Sequence, residues 1–422
     1  MHLTYLKKCR GCGSDALTPV ISLGVQYLQG GFLTKDGSGP KHSHRQVPLS
    51  LVRCDPMKDQ NACGLLQTEH GVPPDLMYQV YWYRSGTNAT MREHLRSIVN
   101  HALEMQGGKT RAVLDIGCND GTLLSCYPEH IDRTGVDPSN IIPQSGGGIE
   151  YIRDFFPSAE IRARKRDVTF DIITSIAMFY DLDDPKAFVR EIRDLLSPHG
   201  LWVVEVSYMP TMIQQGSYDS ICHEHLSYFS FAVLEEIFAA GGLKVAHAEF
   251  NTMNGGSIRC FVTHKDCFEY KSTDAMMRLR DVRIAEFDMG LDTDAPYREF
   301  QARIERHREE LSQTIRTLHA EGKKIHLYGA STKGNTILQW CGLDSSLIEC
   351  ASDRNPEKRG LITPGSGIEI VSEQESRDRR PDYYLVLPWH FQEEFLEREK
   401  AMLERGTGFI FPLPEVRIVR GS

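Results

Sequence analysis

No stretch of this sequence approaches the roughly 20 consecutive apolar residues of a membrane-spanning helix, which argues against a membrane partner. The opening octet, Met1 to Lys8, lacks the apolar run of a signal peptide, so the expected location is the cytoplasm. Basic charge is also in short supply: 48 Lys and Arg stand against 57 Asp and Glu, a net charge of -9. That balance makes nucleic acid an unexpected partner. Missing too is the dinucleotide fingerprint G-x-G-x-x-G, because Gly117 is followed by Cys118 and Asn119 and the next glycine is Gly121. No glycine stands where a pyrophosphate would press against the backbone. What remains is the composition of a soluble globular chain, 41% hydrophobic and 25% charged, whose 422 residues suffice for two or three domains.

The most informative segment runs from Val113 to Leu124 and continues through Gly135-Val-Asp137. An apolar strand enters a glycine turn, the turn is expected to open a helix, and an acid ends the next strand. Read as Asp-x-Gly-x-x-x-Gly with Asp137 in register, it resembles the S-adenosylmethionine (SAM) pocket of class I methyltransferases. The resemblance implies that Asp115 faces the methionine ammonium or its waters. It implies that Gly117 and Gly121 admit the cofactor to the backbone beside Asn119, and that Asp137 accepts hydrogen bonds from both ribose hydroxyls. The plainer alternative is an ordinary glycine-bearing strand–helix turn.

Periodicity extends this unit in both directions. Residues 90–106 read as an amphipathic helix with Leu95, Ile98, Val99 and Leu103 on one face. Strands are expected at 111–116, 133–137, 170–176 and 200–206, with a helix from Pro185 to Leu196 between the last two. Such alternation specifies a doubly wound α/β sheet. A charged segment over about 270–321 keeps Phe300, Ile304, Leu311, Ile315 and Leu318 at helical spacing. After it, strand, glycine turn, helix, strand and acid recur from Lys324 to Asp353, followed by the strand Tyr383 to Leu387. The expected organisation is a small N-terminal domain over 1–75, a methyltransferase sheet over 76–270, and a helix plus Rossmann-like α/β domain over 271–422.

Residues 1–75 show little helical periodicity and carry two cysteine pairs instead. Cys9 and Cys12 flank a tight glycine turn, while Cys54 and Cys63 are separated by eight residues. Four thiolates make a closed tetrahedral zinc site, structural because no position stays open, and such a site staples a domain with little core. His42 and His44 are competing ligands. In a chain without an export signal, the 11 cysteines point to metal ligation and buried thiols rather than disulfides.

Tyr218 to Ser230 is the densest run of titratable groups, with His223, Glu224 and His225 in sequence and Tyr228 close behind. It follows the strand end Glu205-Val-Ser-Tyr208, and in an open α/β sheet sites lie beyond the carboxyl ends of strands. A histidine beside a carboxylate can act as a general base near neutral pH. Asn254-Gly255-Gly256 with Arg259 forms a second polar turn, either a hairpin bend or a place where backbone approaches substrate.

Taken in order, these motifs resemble the sugar C-methyltransferases that act on C-3 of nucleotide-linked 4-keto-deoxy sugars. The matching features are Cys-Arg-Gly-Cys-Gly-Ser at 9–14, Tyr81-Trp-Tyr83-Arg-Ser-Gly, the SAM motif, Glu224-His225 followed by Tyr-Phe-Ser, Gly-Gly-x-x-Arg259, and Tyr328-Gly-Ala-Ser331-Thr-Lys333-Gly-Asn335. The resemblance implies SAM as donor, structural zinc, and a substrate between the middle and C-terminal domains. A ketone acidifies the neighbouring carbon, so His225 would take its proton, with Glu224 orienting it or holding a hydroxyl and His223 nearby. Tyr81 or Tyr83, or Tyr180 beside the cofactor, would stabilise the enolate oxygen. Asp181, Tyr228, Asn254, Gly255 and Arg259 would contact the sugar. Ser331, Lys333 and Asn335 would hold the pyrophosphate at a helix N-terminus, the alternative being a nucleotide fold that only packs. Two features depart from the family: Asp181 replaces a histidine common in relatives, and the Cys54–Cys63 spacing is long. An O- or N-methyltransferase and a non-enzymatic zinc scaffold remain competing readings.

Overall fold

The computed structural model describes residues 3–36, 45–166 and 168–421, so His42 and His44 lie outside the described residues. Its centre is a seven-stranded sheet ordered Leu243–Asn251, Ser257–His264, Leu196–Ser207, Phe170–Ile176, Ala112–Ile116, Asp132–Val136, Ile149–Ile152. The last five strands run parallel, and the first two extend the sheet antiparallel at one edge. Ala112–Ile116 is buried at all five positions, because helices cover both faces of a parallel sheet. Val113, Ile172 and Leu201 pack with Leu95, Ile98 and Val99 of helix Ala89–Gln106. Their neighbours Leu114, Ile173 and Trp202 pack on the opposite face with Phe188, Val189 and Ile192 of helix Pro185–Leu195.

The chain folds this way locally for identifiable reasons. Asn88 accepts hydrogen bonds from the Thr90 and Met91 amides, and Gly107 closes the same helix at φ 59°. Asp184 caps the next helix through the Ala187 amide, with Pro185 in its first turn. One expectation fails. The glycine turn at 117–121 opens no α-helix, only a single 3-10 turn, Leu124–Cys126. Pro128 cannot continue a helix and holds Tyr127 extended, at φ -77° and ψ 146°.

A second sheet of six strands has the order Ile370–Ser372, Cys350–Asp353, Ile325–Tyr328, Tyr383–Val386, Gly408–Phe411, Arg417–Val419, antiparallel only in its last pair. Helix Ala295–Ala320 buries Phe300, Ile304, Leu311, Ile315 and Leu318, as their spacing requires, in a core shared with this sheet. The parallel strands of both α/β sheets reverse order once: between Ala112–Ile116 and Phe170–Ile176, and between Ile325–Tyr328 and Tyr383–Val386. Those switch points are where such sheets open a crevice. The N-terminal sheet is antiparallel, ordered Ser227–Tyr228, Leu66–Thr68, Gln46–Cys54, Leu17–Tyr27. Its first strand comes from the segment that directly follows His225, so the cysteine-bearing part grips the acid–histidine run.

Candidate active site

Cys9, Cys12, Cys54 and Cys63 bring their sulfurs within 4.8 Å of one another. Cys9 Sγ lies 3.6 Å from Cys63 Sγ, and Cys12 Sγ lies 3.5 Å from Cys54 Sγ. Tetrahedral zinc with bonds of about 2.3 Å needs sulfurs about 3.8 Å apart, so the four thiols fit the ion. Backbone turns from Asp55 to Asp59 and from Asp59 to Ala62 fold the long spacer out of the way. Arg10, between the first two cysteines, turns away from the metal. Its Nη1 donates to the Thr68 carbonyl at 2.9 Å and lies 3.5 Å from that of Leu226, and its Nε stands 3.6 Å from Asp183.

One cavity of about 660 Å³ joins the carboxyl ends of the two α/β sheets. Its first end holds Asp115, Gly117, Asn119 and Asp137. Gly117 has φ 72°, and a Cβ there would come within 3.0 Å of Met178, so the turn needs glycine. Asp137 accepts the Asn119 amide at 2.9 Å through one oxygen and the Ser139 amide at 2.8 Å through the other. Asp115 accepts the Thr174 hydroxyl at 2.6 Å, and burial pushes its carboxyl up to about 7. A cationic ligand relieves such a group, which suits the ammonium of SAM. Asn119, at φ 52°, accepts the Ser85 amide and donates to the Tyr83 carbonyl, each at 3.0 Å, thereby pinning the Tyr81 to Tyr83 segment against this end. Gly121 does not face the cavity; its Cα abuts the Tyr151 ring, where a Cβ would fall 2.1 Å from the hydroxyl.

Tyr78, Tyr81, Tyr83, Tyr180, Asp181, Cys222, Glu224 and His225 form the middle of the wall. His225 Nδ1 donates to the Ser220 carbonyl at 2.7 Å, which leaves Nε2 as the basic nitrogen of the neutral ring. The ring packs on Tyr180, centroids 4.3 Å apart, and burial, with help from the Lys333 charge, lowers its pKa to about 3. Glu224 does not orient it. The turn through 222–225 aims Glu224 at Gly30 instead, where an added Cβ would meet its Oε1 at 2.1 Å. Asp181 Oδ1 is buried without a hydrogen-bond partner among the described residues. His223 points the other way, into the N-terminal sheet, with Nδ1 2.5 Å from Gln29 Oε1 and Nε2 3.2 Å from the Val47 carbonyl. Tyr228 is consumed by the same sheet and lies 3.4 Å from the Ser220 carbonyl.

Desolvation pushes Glu224 up to about 7 from its ordinary 4.5. A raised carboxyl favours folding while neutral and loses that contribution as pH climbs from its unfolded toward its folded value. Glu224→Gln is therefore expected to remove a stability loss on the order of 3 kcal/mol between pH 5 and 8. Thermal melts at the two pH values measure it, and equal drops in wild type and variant would refute the assignment.

The far end belongs to the second sheet. Ser331 caps helix Thr332–Cys341 by accepting the Gly334 amide. Lys333 Nζ donates to the Asn254 carbonyl at 3.2 Å, which brings Asn254 to the wall. Asn335 faces away and donates to the Gln29 carbonyl at 2.7 Å. Gly255, at φ 87°, is a hairpin bend against Trp389. Arg259 is withdrawn by alternation along its strand, pairing with Glu205 at 2.8 Å and Glu249 at 3.3 Å. Among the wall residues that escaped the sequence reading are Lys358, Arg398 and His390, whose buried Nδ1 has no partner among the described residues. His390 stands just beyond the strand Tyr383–Val386, so the strand-end rule applied to the second sheet would have found it.

Three family models match the chain in succession: "Putative zinc binding domain" over residues 9–78, "Methyltransferase domain" over 88–248 and "C-methyltransferase C-terminal domain" over 252–414. The C-methyltransferase NovU of Streptomyces niveus is 31% identical over 98% of this chain and 97% of its own length. A ubiquinone biosynthesis O-methyltransferase of Serratia proteamaculans is 28% identical over only 29% of this chain and 59% of its own. Among solved structures, magnesium protoporphyrin IX methyltransferase of Synechocystis with bound SAM matches 41% of this chain and 79% of that one, at 11% identity and a TM-score of 0.32. The O-methyltransferase match is confined to part of the chain, whereas the C-methyltransferase match runs through the cysteine domain and the second sheet as well. On that full-length agreement the chain belongs to the SAM-dependent C-methyltransferases, with a zinc-binding N-terminal domain.

Proposed function

We propose that this enzyme methylates C-3 of a nucleotide-linked 4-keto-deoxy sugar through an enolate, with His225 as general base. The observation that carries the reading is a single cavity with two unlike ends. Asp115 and Asp137 line the end suited to a cationic cofactor, while Lys333 and Lys358 line the end suited to an anion at a helix start. His225 stands on the wall of the same cavity, near enough to Lys333 for its charge to bear on the ring.

Asp115, Gly117, Asn119 and Asp137 would hold SAM, which when bound supplies an electrophilic methyl group for the carbanion at C-3. Lys333, Lys358 and the start of helix Thr332–Cys341 would hold the diphosphate. His225 Nε2 would receive the C-3 proton, and the electron pair of that C–H bond would move into the enolate. A base lowered to about 3 is always unprotonated at working pH, but weak. Anionic substrate beside Lys333 would offset that lysine's charge and so raise the proton affinity of His225 in part, burial being the larger cause of its lowering. Tyr81 and Tyr180, both held well above the ordinary tyrosine value by burial, stay protonated and would donate to the C-4 oxygen. Asp181 and Glu224 would receive the sugar hydroxyls. The C-methyltransferase relative supports a small-molecule reaction, which we place in the cytoplasm; among the described residues no helix is long and apolar enough to cross a membrane.

Solvent exchange tests the enolate directly. The keto sugar is incubated with enzyme and S-adenosylhomocysteine in deuterated water, and label is expected at C-3 without turnover. Methylation without any such exchange would sink the enolate and favour transfer to oxygen or nitrogen.

A further inference from the structure

Helix Ala89–Gln106 and strand Leu243–Asn251 meet at side chains that methyl transfer does not use. His247 and Glu249, two residues apart, share one face of the strand. Glu249 Oε1 lies 3.2 Å from His101 Nδ1 and 3.4 Å from His247 Nε2, and the three donor atoms fall within 4.8 Å of one another. Their side chains are 31%, 15% and 29% exposed for His101, His247 and Glu249, so an ion can reach them. Both imidazoles rest on Phe261, at centroid distances of 4.7 and 5.5 Å, an apolar floor that restricts their orientation. The other carboxylate oxygen, Oε2, is 3.3 Å from Arg259 Nη1, and Arg259 is itself anchored by Glu205. The carboxylate is thus fixed from behind with Oε1 presented to the imidazoles, the arrangement by which outer residues orient a metal ligand.

We propose that His101, His247 and Glu249 form a second metal site, for a divalent transition ion such as zinc, separate from the four-cysteine cluster. Ligands bound at about 2.1 Å stand about 3.0 Å apart in octahedral and about 3.4 Å apart in tetrahedral geometry. Both glutamate–imidazole separations fall near this range, and the third pair of donor atoms lies within 4.8 Å. Two imidazoles and one carboxylate favour zinc, nickel or copper over magnesium or calcium. Arg259 lowers the affinity, so the site binds reversibly. It bridges the edge strand to a helix whose first turns carry Met91 and Leu95 to the cavity wall, so occupancy steadies the cofactor end.

Calorimetric titration of the zinc-loaded full-length protein with zinc alone at pH 7.5 is expected to show one further ion per chain, with Kd on the order of 10 µM, together with a rise in Tm. His247→Ala and Glu249→Gln are each expected to weaken this ion at least tenfold while elemental analysis still finds the cysteine-bound zinc. His199→Ala, which breaks a different surface pair at 3.1 Å from Glu269, leaves both ions in place. Saturation at one zinc per chain up to millimolar free ion would overturn the proposal, as would a second ion that persists in both variants.

Discussion

His225→Ala is expected to lower kcat by about 10² to 10⁴, the usual loss when a general base is removed, while SAM binds as before. The separation follows from where the groups sit. Asp115, Gly117 and Asp137 belong to the carboxyl ends of Ala112–Ile116 and Asp132–Val136, whereas His225 hangs from a turn held by the Ser220 carbonyl and the Tyr180 ring. Calorimetry with SAM should therefore give matching affinities for variant and wild type, and rapid-quench assays should place the defect in the chemical step. His390→Ala is the informative companion. It removes the other imidazole on the cavity wall, also lowered to about 3 by burial and Lys333. Full turnover in His225→Ala would refute its role, and a large loss in His390→Ala alone would move the base to the second sheet.

The strand–turn–acid segment was legible because parallel strands buried on both faces are written as apolar runs and because the turn demands glycine at positive φ. The buried stripe of Ala295–Ala320 was legible for a similar reason: one face carries all five predicted apolar residues. The site was legible only where a side chain's direction follows from its own element. His225 and Lys333 reach the cavity, but His223 and Asn335 are claimed by Gln29, 194 and 306 residues away along the chain. Nothing near either residue announces that contact. Arg259 was misplaced by ignoring strand alternation across the sheet edge, which carries it to Glu205 and away from Asn254. The missing helix after Gly121 was legible in principle, since Pro128 stops it within two turns.

Replacing Cys9 and Cys12 with Ser should lower zinc content by about one ion per chain and abolish turnover, although neither residue touches the cavity. Structural zinc in small domains is worth about 10–16 kcal/mol of apparent binding energy, more than an N-terminal domain with little core can replace. The path to the chemistry is short. The turn between the two cysteines carries Arg10, which holds the Thr68 carbonyl and faces that of Leu226, one residue beyond His225. The Leu226 carbonyl also accepts the Thr68 amide at 2.9 Å, and the Leu226 amide donates to the Tyr180 carbonyl at 2.9 Å. The turn that carries His225 is thus suspended between the zinc knuckle and the central sheet. Hydrogen exchange should show protection lost at 224–228 and retained at Ala112–Ile116 in the zinc-free variant, because the central sheet has its own core. Arg10→Met separates the metal from the brace: it should keep zinc, loosen the same five residues and lower kcat more than it raises KM. Zinc-free protein that keeps both full turnover and protection at 224–228 would show that the knuckle and the turn that carries His225 are independent.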